Sequence, residues 1–481
     1  MTVKYDLLIA EMGMISRERY FIIARIKELI KFTSDKGETM EKLKVKQILS
    51  VTLTLFAVFF GAGNMIFPPA MGQLAGTNYV KALAGFILTD AGIALLGMIA
   101  VVLVGTEISD LGNLVSRKFA VFLSVVIYLL IGPLFAMPRT GSVSFELAIL
   151  PHVPEQYVWI ASLIVTAIFF FLTYHLSSNP SKVVDVIGRY LTPILLLCII
   201  TIFVACIVKG EATGAAVQYG KISDPQGVYA TIPFFQGMLE GYNALDGPAG
   251  LVFAIIIINA VSGYGIKEKK SIVKYTIICG VGAAVILSIV YYMLTYIGAV
   301  TITPFANGGA MLYAVTSDLL GNVGGIILGV AVFFACMTTS IGLTTAFADY
   351  FHELLPTISY KKITAIVCIF SFLISNIGLT QLVKISLPIL MMIYPVTVVL
   401  IVLSFLKRYI QHCRMVYVLG MAFALVVAFV NGLEKMGYSF GIVTDLCNKI
   451  PFYELGFGWI IPAIIGAMIG TLPFWPMNQK K

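Results

Sequence analysis

Charge is what this sequence has least of. Only 12% of its 481 residues are Asp, Glu, Lys or Arg, against about 25% in an ordinary soluble domain. Histidine is scarce too. His152, His175, His352 and His412 fall at the ends of apolar runs or between them and form no ligand cluster. The seven cysteines (Cys198, Cys206, Cys279, Cys336, Cys368, Cys413 and Cys447) show no CxxC spacing. They read as small apolar residues, not as a disulfide or zinc framework. No P-loop, GxSxG, HExxH or pair of carboxylates on a shared helix stands out. The residue patterns of phosphoryl transfer, acyl transfer and metal-assisted hydrolysis are therefore missing. The longest polar segments, near 209–229 and 432–455, are too short for a catalytic domain.

Apolar length is what the chain has instead. Hydrophobic residues make up 59% of it, with a mean hydropathy of +0.96. About twelve runs approach the roughly 20 residues that a bilayer core demands. They lie near 48–69, 81–104, 118–138, 157–176, 187–208, 230–262, 273–301, 322–350, 362–378, 382–405, 413–431 and 456–475. The expected fold class is an all-α integral membrane protein. A net charge of +8 could suit nucleic acid, but the basic residues are scattered through short loops. Lys and Arg favour the even-numbered loops and the C-terminus, Arg139 being counted among the odd-numbered ones. That bias predicts cytoplasmic termini.

Residues 1–39 contain no uninterrupted apolar core of a secretory signal. Two readings are open. Residues 20–31 could lie on the membrane as a basic amphipathic helix, or the chain could start at Met40, with MEKLKVKQILS leading into the first span. The expected organisation is an N-terminal cytoplasmic extension over 1–39 and one transmembrane domain over 40–475. A cytoplasmic tail follows at 476–481.

Two spans carry residues that disrupt helices. Residues 59–76 read FFGAGNMIFPPAMGQLAG, with Gly61, Gly63, Pro68 and Pro69 inside an otherwise apolar stretch. Residues 234–250 read FFQGMLEGYNALDGPAG, where Gly237, Gly241, Gly247 and Pro248 accompany Glu240 and Asp246. The breaks fall in spans one and six, five spans apart, and an odd offset inverts the second copy relative to the first. Two interrupted spans at matching positions point to an inverted-repeat secondary transporter. The repeats would cover about 48–208 and 230–405, leaving 413–475 as extra helices.

A broken helix in lipid needs partners for its freed polar groups. The amides at Gly61–Asn64 would suit a carboxylate, and the carbonyls just before them a small cation. A plain proline kink or glycine-mediated packing would explain the same residues. Glu240 could bond those amides or a substrate ammonium, whereas Asp246, ahead of Gly247 and Pro248, reads as a helix N-cap. Tyr242 and Asn243 lie in the same break. In FFACMTTSIGLTTAFAD (333–349), Thr338, Thr339 and Ser340 offer oxygens for a hard cation. Thr344 and Thr345 follow, and all five could equally bond back to their own helix. Asp90, mid-span in GFILTDAGIALLG, could hold a proton or cation or bond a neighbouring helix.

These stretches carry a resemblance. FFGAGNMIFPPAMGQLAG followed by GFILTDAGIALLG, with PFFQGMLEGYNALD and ACMTTSIGLTTAFADYF further on, closely resembles the bacterial branched-chain amino acid–cation symporter family from about residue 45 to 475. Asp90 departs from the family pattern, in which a small residue is expected. The resemblance implies the five-plus-five inverted-repeat fold of leucine-transporter-like carriers, with helices one and six broken. It implies uptake of leucine, isoleucine and valine across the bacterial cytoplasmic membrane, driven by Na⁺ or H⁺, with no cofactor and no catalysis. By that analogy the substrate meets Gly61, Ala62, Gly63 and Asn64 on one side and Glu240, Gly241 and Tyr242 on the other. Na⁺ would sit among Ala57, Phe60, Ala335, Thr338 and Thr339. A channel or a membrane-embedded enzyme is the competing class; the first would need a symmetric pore and the second a catalytic constellation.

Overall fold

A computed structural model describes residues 42–178, 192–209, 217–218, 220–410 and 413–472. Expectations for residues 1–39, Met40 and 476–481 lie outside this range. Among the described residues no β-strand occurs, and helices satisfy the backbone polar groups within each segment, as lipid demands. Eight helical stretches among the described residues are long and apolar enough to cross a bilayer, and three shorter apolar helices join them.

The first predicted span is two helices, α1 (Val45–Phe59) and α2 (Ala62–Ala75). The chain leaves helical geometry at Phe60 (φ −72°, ψ 85°) and Gly61 (φ −113°, ψ −159°). Pro68 and Pro69 are not the break; α2 runs through both. Next come α3 (Tyr79–Ile87) and α4 (Ile93–Val104), joined by a wide π-type turn at Leu88–Gly92 that holds Asp90. The third span, α5 (Arg117–Leu129), continues through a wide turn over Leu130–Leu134 that contains Pro133. It leads directly into α6 (Ala136–Ala148). Arg139, counted above as a loop residue, is therefore a helix residue and is buried.

After α7 (Val158–Ser177) and α8 (Thr192–Lys209), the sixth span divides into α9 (Pro233–Ala244) and α10 (Asp246–Gly263). The break is at Leu245, whose φ of 78° is left-handed. The glycines that marked this span do other work. Gly237 and Gly241 pack α9 directly on the backbone of α3 at Ala82 and Phe86, and Gly85 does so from the other side at Phe234. Small residues permit this approach in lipid, where dispersion contacts replace the hydrophobic drive. Asp246 occupies the first helical position of α10, and Leu245, not Asp246, is the N-cap residue.

The remaining helices are α11 (Lys269–Ala299), α12 (Gly308–Leu354, bent at Gly321), α13 (Tyr360–Ser375), α14 (Leu379–Phe405), α15 (Arg414–Lys435) and α16 (Ile460–Gly470). α2 packs on α11, α10 on α4, and α6 on α12. α15 and α16 pack on each other, and α15 also packs on α14. The two breaks meet at the centre: a Cβ added at Gly63 would stand 3.0 Å from Ala244 Cα.

Candidate functional site

A cavity of about 30 Å³ lies where the two broken helices meet. Gly61, Ala62, Gly63 and Asn64 line it from one break, and Ala244, Leu245 and Asp246 from the other. α6 contributes Arg139 and Thr140, and α12 contributes Thr339 and Leu343. Phe59, Ile131, Ala136, Ala249 and Phe253 supply an apolar wall. Such a lining, apolar with a few convergent polar groups, is that of a small-molecule site.

Asn64 joins the two breaks. Its amide nitrogen lies 2.8 Å from Asp246 Oδ2, 2.6 Å from the Tyr291 hydroxyl and 3.1 Å from the Phe59 carbonyl. Two hydrogens are thus shared among three acceptors, one of them a carbonyl at the end of α1. Asp246 faces the cavity, and Asp90, fully buried, neighbours both Asp246 and Tyr291. Neither Asp90 carboxylate oxygen has hydrogen-bond geometry to a partner.

The sequence-based substrate set is therefore half placed in the cavity. Gly61, Ala62, Gly63 and Asn64 line it, but Glu240, Gly241 and Tyr242 do not. Glu240 accepts from Gln236 Nε2 at 3.1 Å, Asn243 Nδ2 at 3.1 Å and the Tyr229 hydroxyl at 3.4 Å. Tyr242 stacks on Tyr394 with ring centroids 4.0 Å apart, and the Tyr394 hydroxyl donates to the Thr89 carbonyl at 2.7 Å. Gly241 packs on α3. The backbone turns at Leu245, three residues beyond Tyr242, so Ala244, Leu245 and Asp246 are the residues of this break that line the cavity.

The expected cation ligands are largely drawn together. The Thr338 hydroxyl lies 2.8 Å from both the Ala57 and the Ala335 carbonyls, so three oxygens converge between α1 and α12. The Thr339 hydroxyl donates to the Val58 carbonyl at 2.9 Å and packs against Gly61. Phe60 sits at the break itself, with ψ off the helical value. Thr344 and Thr345 bond back to Ser340 and Ile341 of their own helix at 2.7 and 3.0 Å.

Sequence reasoning missed Arg139. It is 2% exposed and lines the cavity. One terminal nitrogen donates to the Asn243 carbonyl at 2.7 Å and the other to Ser386 Oγ at 2.8 Å. Its guanidinium carbon is 5.8 Å from the Phe67 ring centre, within cation–π range. The signal that could have found it was the unusually apolar run on both sides of Gly132 and Pro133.

A family model described as branched-chain amino acid transport protein matches residues 44–475. The chain is similar to the branched-chain amino acid permease BraB of Bacillus subtilis, 42% identical over 447 residues, covering 91% of this chain and 98% of the relative. It is 37% identical over 436 residues to the branched-chain amino acid transport system 2 carrier protein of Pseudomonas aeruginosa, covering 90% and 97%. Among solved structures it resembles Mhp1, a nucleobase-cation-symport-1 family transporter, with a TM-score of 0.59 at 12% identity over 89% of this chain and 94% of that one. MhsT in complex with L-phenylalanine gives 0.52 at 15% identity over 90% and 100%. At those identities the likeness concerns the fold alone, and it is the broken-helix transporter fold that the two interrupted spans anticipate. With a match that spans nearly all the described residues and full-length relatives named as permeases and carriers, the chain belongs to the branched-chain amino acid transport protein family and is a membrane transport protein, not an enzyme.

Proposed function

We propose that this protein imports leucine, isoleucine and valine across the bacterial cytoplasmic membrane by symport with Na⁺, with both termini cytoplasmic. The observation that carries the reading is the adjacency of two sites at one break. The amides at the start of α2 and the apolar wall of Phe59, Ile131 and Phe253 line a cavity, while the Thr338–Ala57–Ala335 oxygens lie one turn back along α1. Amides suit the substrate carboxylate, the carbonyl-rich end of α9 and Asp246 suit its ammonium, and the wall suits an aliphatic side chain. Such a wall separates substrates that differ by one methylene by only about 1–3 kcal/mol, so all three should be carried.

The cavity as it stands leaves room for only a few waters. An aliphatic amino acid needs more, so the broken helices part to admit it and close over it, as in alternating access about a fixed midplane site. A cation bound to Thr338 would tie α1 to α12 and order the break, improving substrate binding; by linkage, substrate improves cation binding equally. The membrane potential then contributes about 2.3 kcal/mol per charge per 100 mV.

One observation favours a second reading, coupling to H⁺. Asp90 and Asp246 are buried neighbours, two carboxyl groups placed together at the edge of the site where a proton could be carried. Uptake of labelled isoleucine into proteoliposomes, under separately imposed Na⁺ and H⁺ gradients, decides between them. Under the Na⁺ reading, Na⁺ drives uptake, leucine and valine compete, and Thr338→Ala raises the half-saturating Na⁺ concentration about tenfold or more, the loss of one charge-assisted ligand. Uptake driven by H⁺ alone, or an unchanged Na⁺ dependence in Thr338→Ala, overturns it.

A further inference from the structure

A guanidinium buried in a membrane-embedded core is costly unless an anion meets it. Arg139 meets none: among the described residues no carboxylate lies within ion-pair distance of it. Its two terminal nitrogens are spent on neutral acceptors, the Asn243 carbonyl and the Ser386 hydroxyl. Its Nε is buried and has no partner at all. Yet the side chain lines the same cavity as Gly61, Ala62 and Gly63 at the start of α2, where the first amides of a helix have no intrahelical partner.

We propose that Arg139 is a direct ligand of the substrate's carboxylate, sharing that group with the backbone at Gly61–Gly63. The proposal rests on the amino-acid reading above and deepens it. A carboxylate has two oxygens and about four lone-pair sites, enough for an amide cradle on one oxygen and a guanidinium on the other. The contacts that Arg139 already makes hold it ready. Its bond to Asn243 anchors it at the C-terminal end of α9, where the helix dipole favours a cation. Its bond to Ser386 reaches α14. The same cavity holds Asp246, fastened by Asn64. A guanidinium and a carboxyl group lining one cavity fit a zwitterion. Amines, esters and amides that keep the aliphatic side chain but lose the carboxylate are then excluded, because they leave Arg139 unmatched as the cavity closes.

The test is equilibrium binding of labelled isoleucine to the purified full chain in nanodiscs with Na⁺ at pH 7, competed by isoleucinamide. Wild type should prefer isoleucine to its amide by about 100-fold, the usual scale for a lost charge-assisted pair. In Arg139→Gln, isoleucine affinity should fall while amide affinity holds or rises, since the charge that the amide left unmatched is gone, and the preference should shrink toward unity. Arg139→Lys keeps the charge but not the planar fork and should recover roughly a tenth of the lost discrimination. An equal loss for isoleucine and amide in either variant would mean that Arg139 only braces α9 against α14, and the proposal would fall. So would an unchanged preference. If Arg139→Gln does not elute as a folded protein, the preference ratio in Arg139→Lys decides alone. Failure of wild type to bind isoleucine would instead count against the amino-acid reading itself.

Discussion

The two breaks in the membrane helices look alike in sequence and are built differently. At the first, glycine is required by space: a Cβ on Gly61 would press on Thr339 Oγ1 at 2.9 Å. At the second, the turning residue is a leucine with φ at 78°, a conformation that costs an L-residue about 1–2 kcal/mol. Leu245 is held there from outside. It is 3% exposed and packs in a small cluster with Leu130, Phe135 and Leu390. Neighbouring helices act on both breaks, at the first by leaving no room beside Thr339 for more than glycine and at the second by holding a leucine in a left-handed turn. Glycines inside a membrane helix therefore mark where another backbone comes close, and only sometimes where the helix stops.

The strongest way to break this comparison is to force the two breaks apart. Gly63→Val places branched carbons where even a single Cβ stands 3.0 Å from the Ala244 backbone. Overpacking against backbone has no cheap relaxation, so isoleucine uptake in proteoliposomes should be abolished while the protein still elutes as a folded species. Transport at wild-type rate would show that contact between the breaks is dispensable.

Next in size is the link that Asn64 makes. Asn64→Ala leaves Asp246 and the Phe59 carbonyl without that donor, at about 1–3 kcal/mol for a buried group so stranded. Thermal unfolding of the purified protein should show a clear drop. Tyr291→Phe, which removes a hydroxyl but leaves the Asn64–Asp246 bond of 2.8 Å, should lower the melting temperature less. The reverse order would remove Asn64 from the centre of the site.

The smallest effect is the most diagnostic. Leu245→Ala and Leu245→Gly both lose the apolar contact of the side chain, but only glycine adopts φ near 78° freely. Leu245→Gly should therefore be the more stable of the two by about 1 kcal/mol, although it removes more atoms. If alanine is better, the left-handed turn is not what holds the second break.

Much of the candidate site's lining was legible beforehand, for reasons that differ by residue. Gly61–Asn64 announced themselves because glycine and asparagine inside an apolar run are local anomalies. Ala57, Ala335 and Thr338 came through the family resemblance, since hydroxyls on a helix have an ordinary explanation that Thr344 and Thr345 in fact obey. Glu240 looked like a site residue because it is a carboxylate in a membrane span, yet Gln236, Asn243 and Tyr229 surround it away from the cavity. Arg139 was taken for a loop residue because the run before it is bent by Gly132 and Pro133, and a bend looks like an end. The pairing of Asn64 with Asp246, 182 residues apart, had no local signal.

What the sequence determined alone was the helical, membrane-embedded character of the chain and the presence of two irregular spans. Apolar length leaves the backbone no partner but itself, and that argument needs no neighbours. What only the tertiary structure decided was where the second helix turns and which charges look into the cavity. A left-handed leucine, an asparagine shared between two breaks and a buried arginine are each held by side chains far away in sequence, so their cost and their compensation are visible only once the helices are packed.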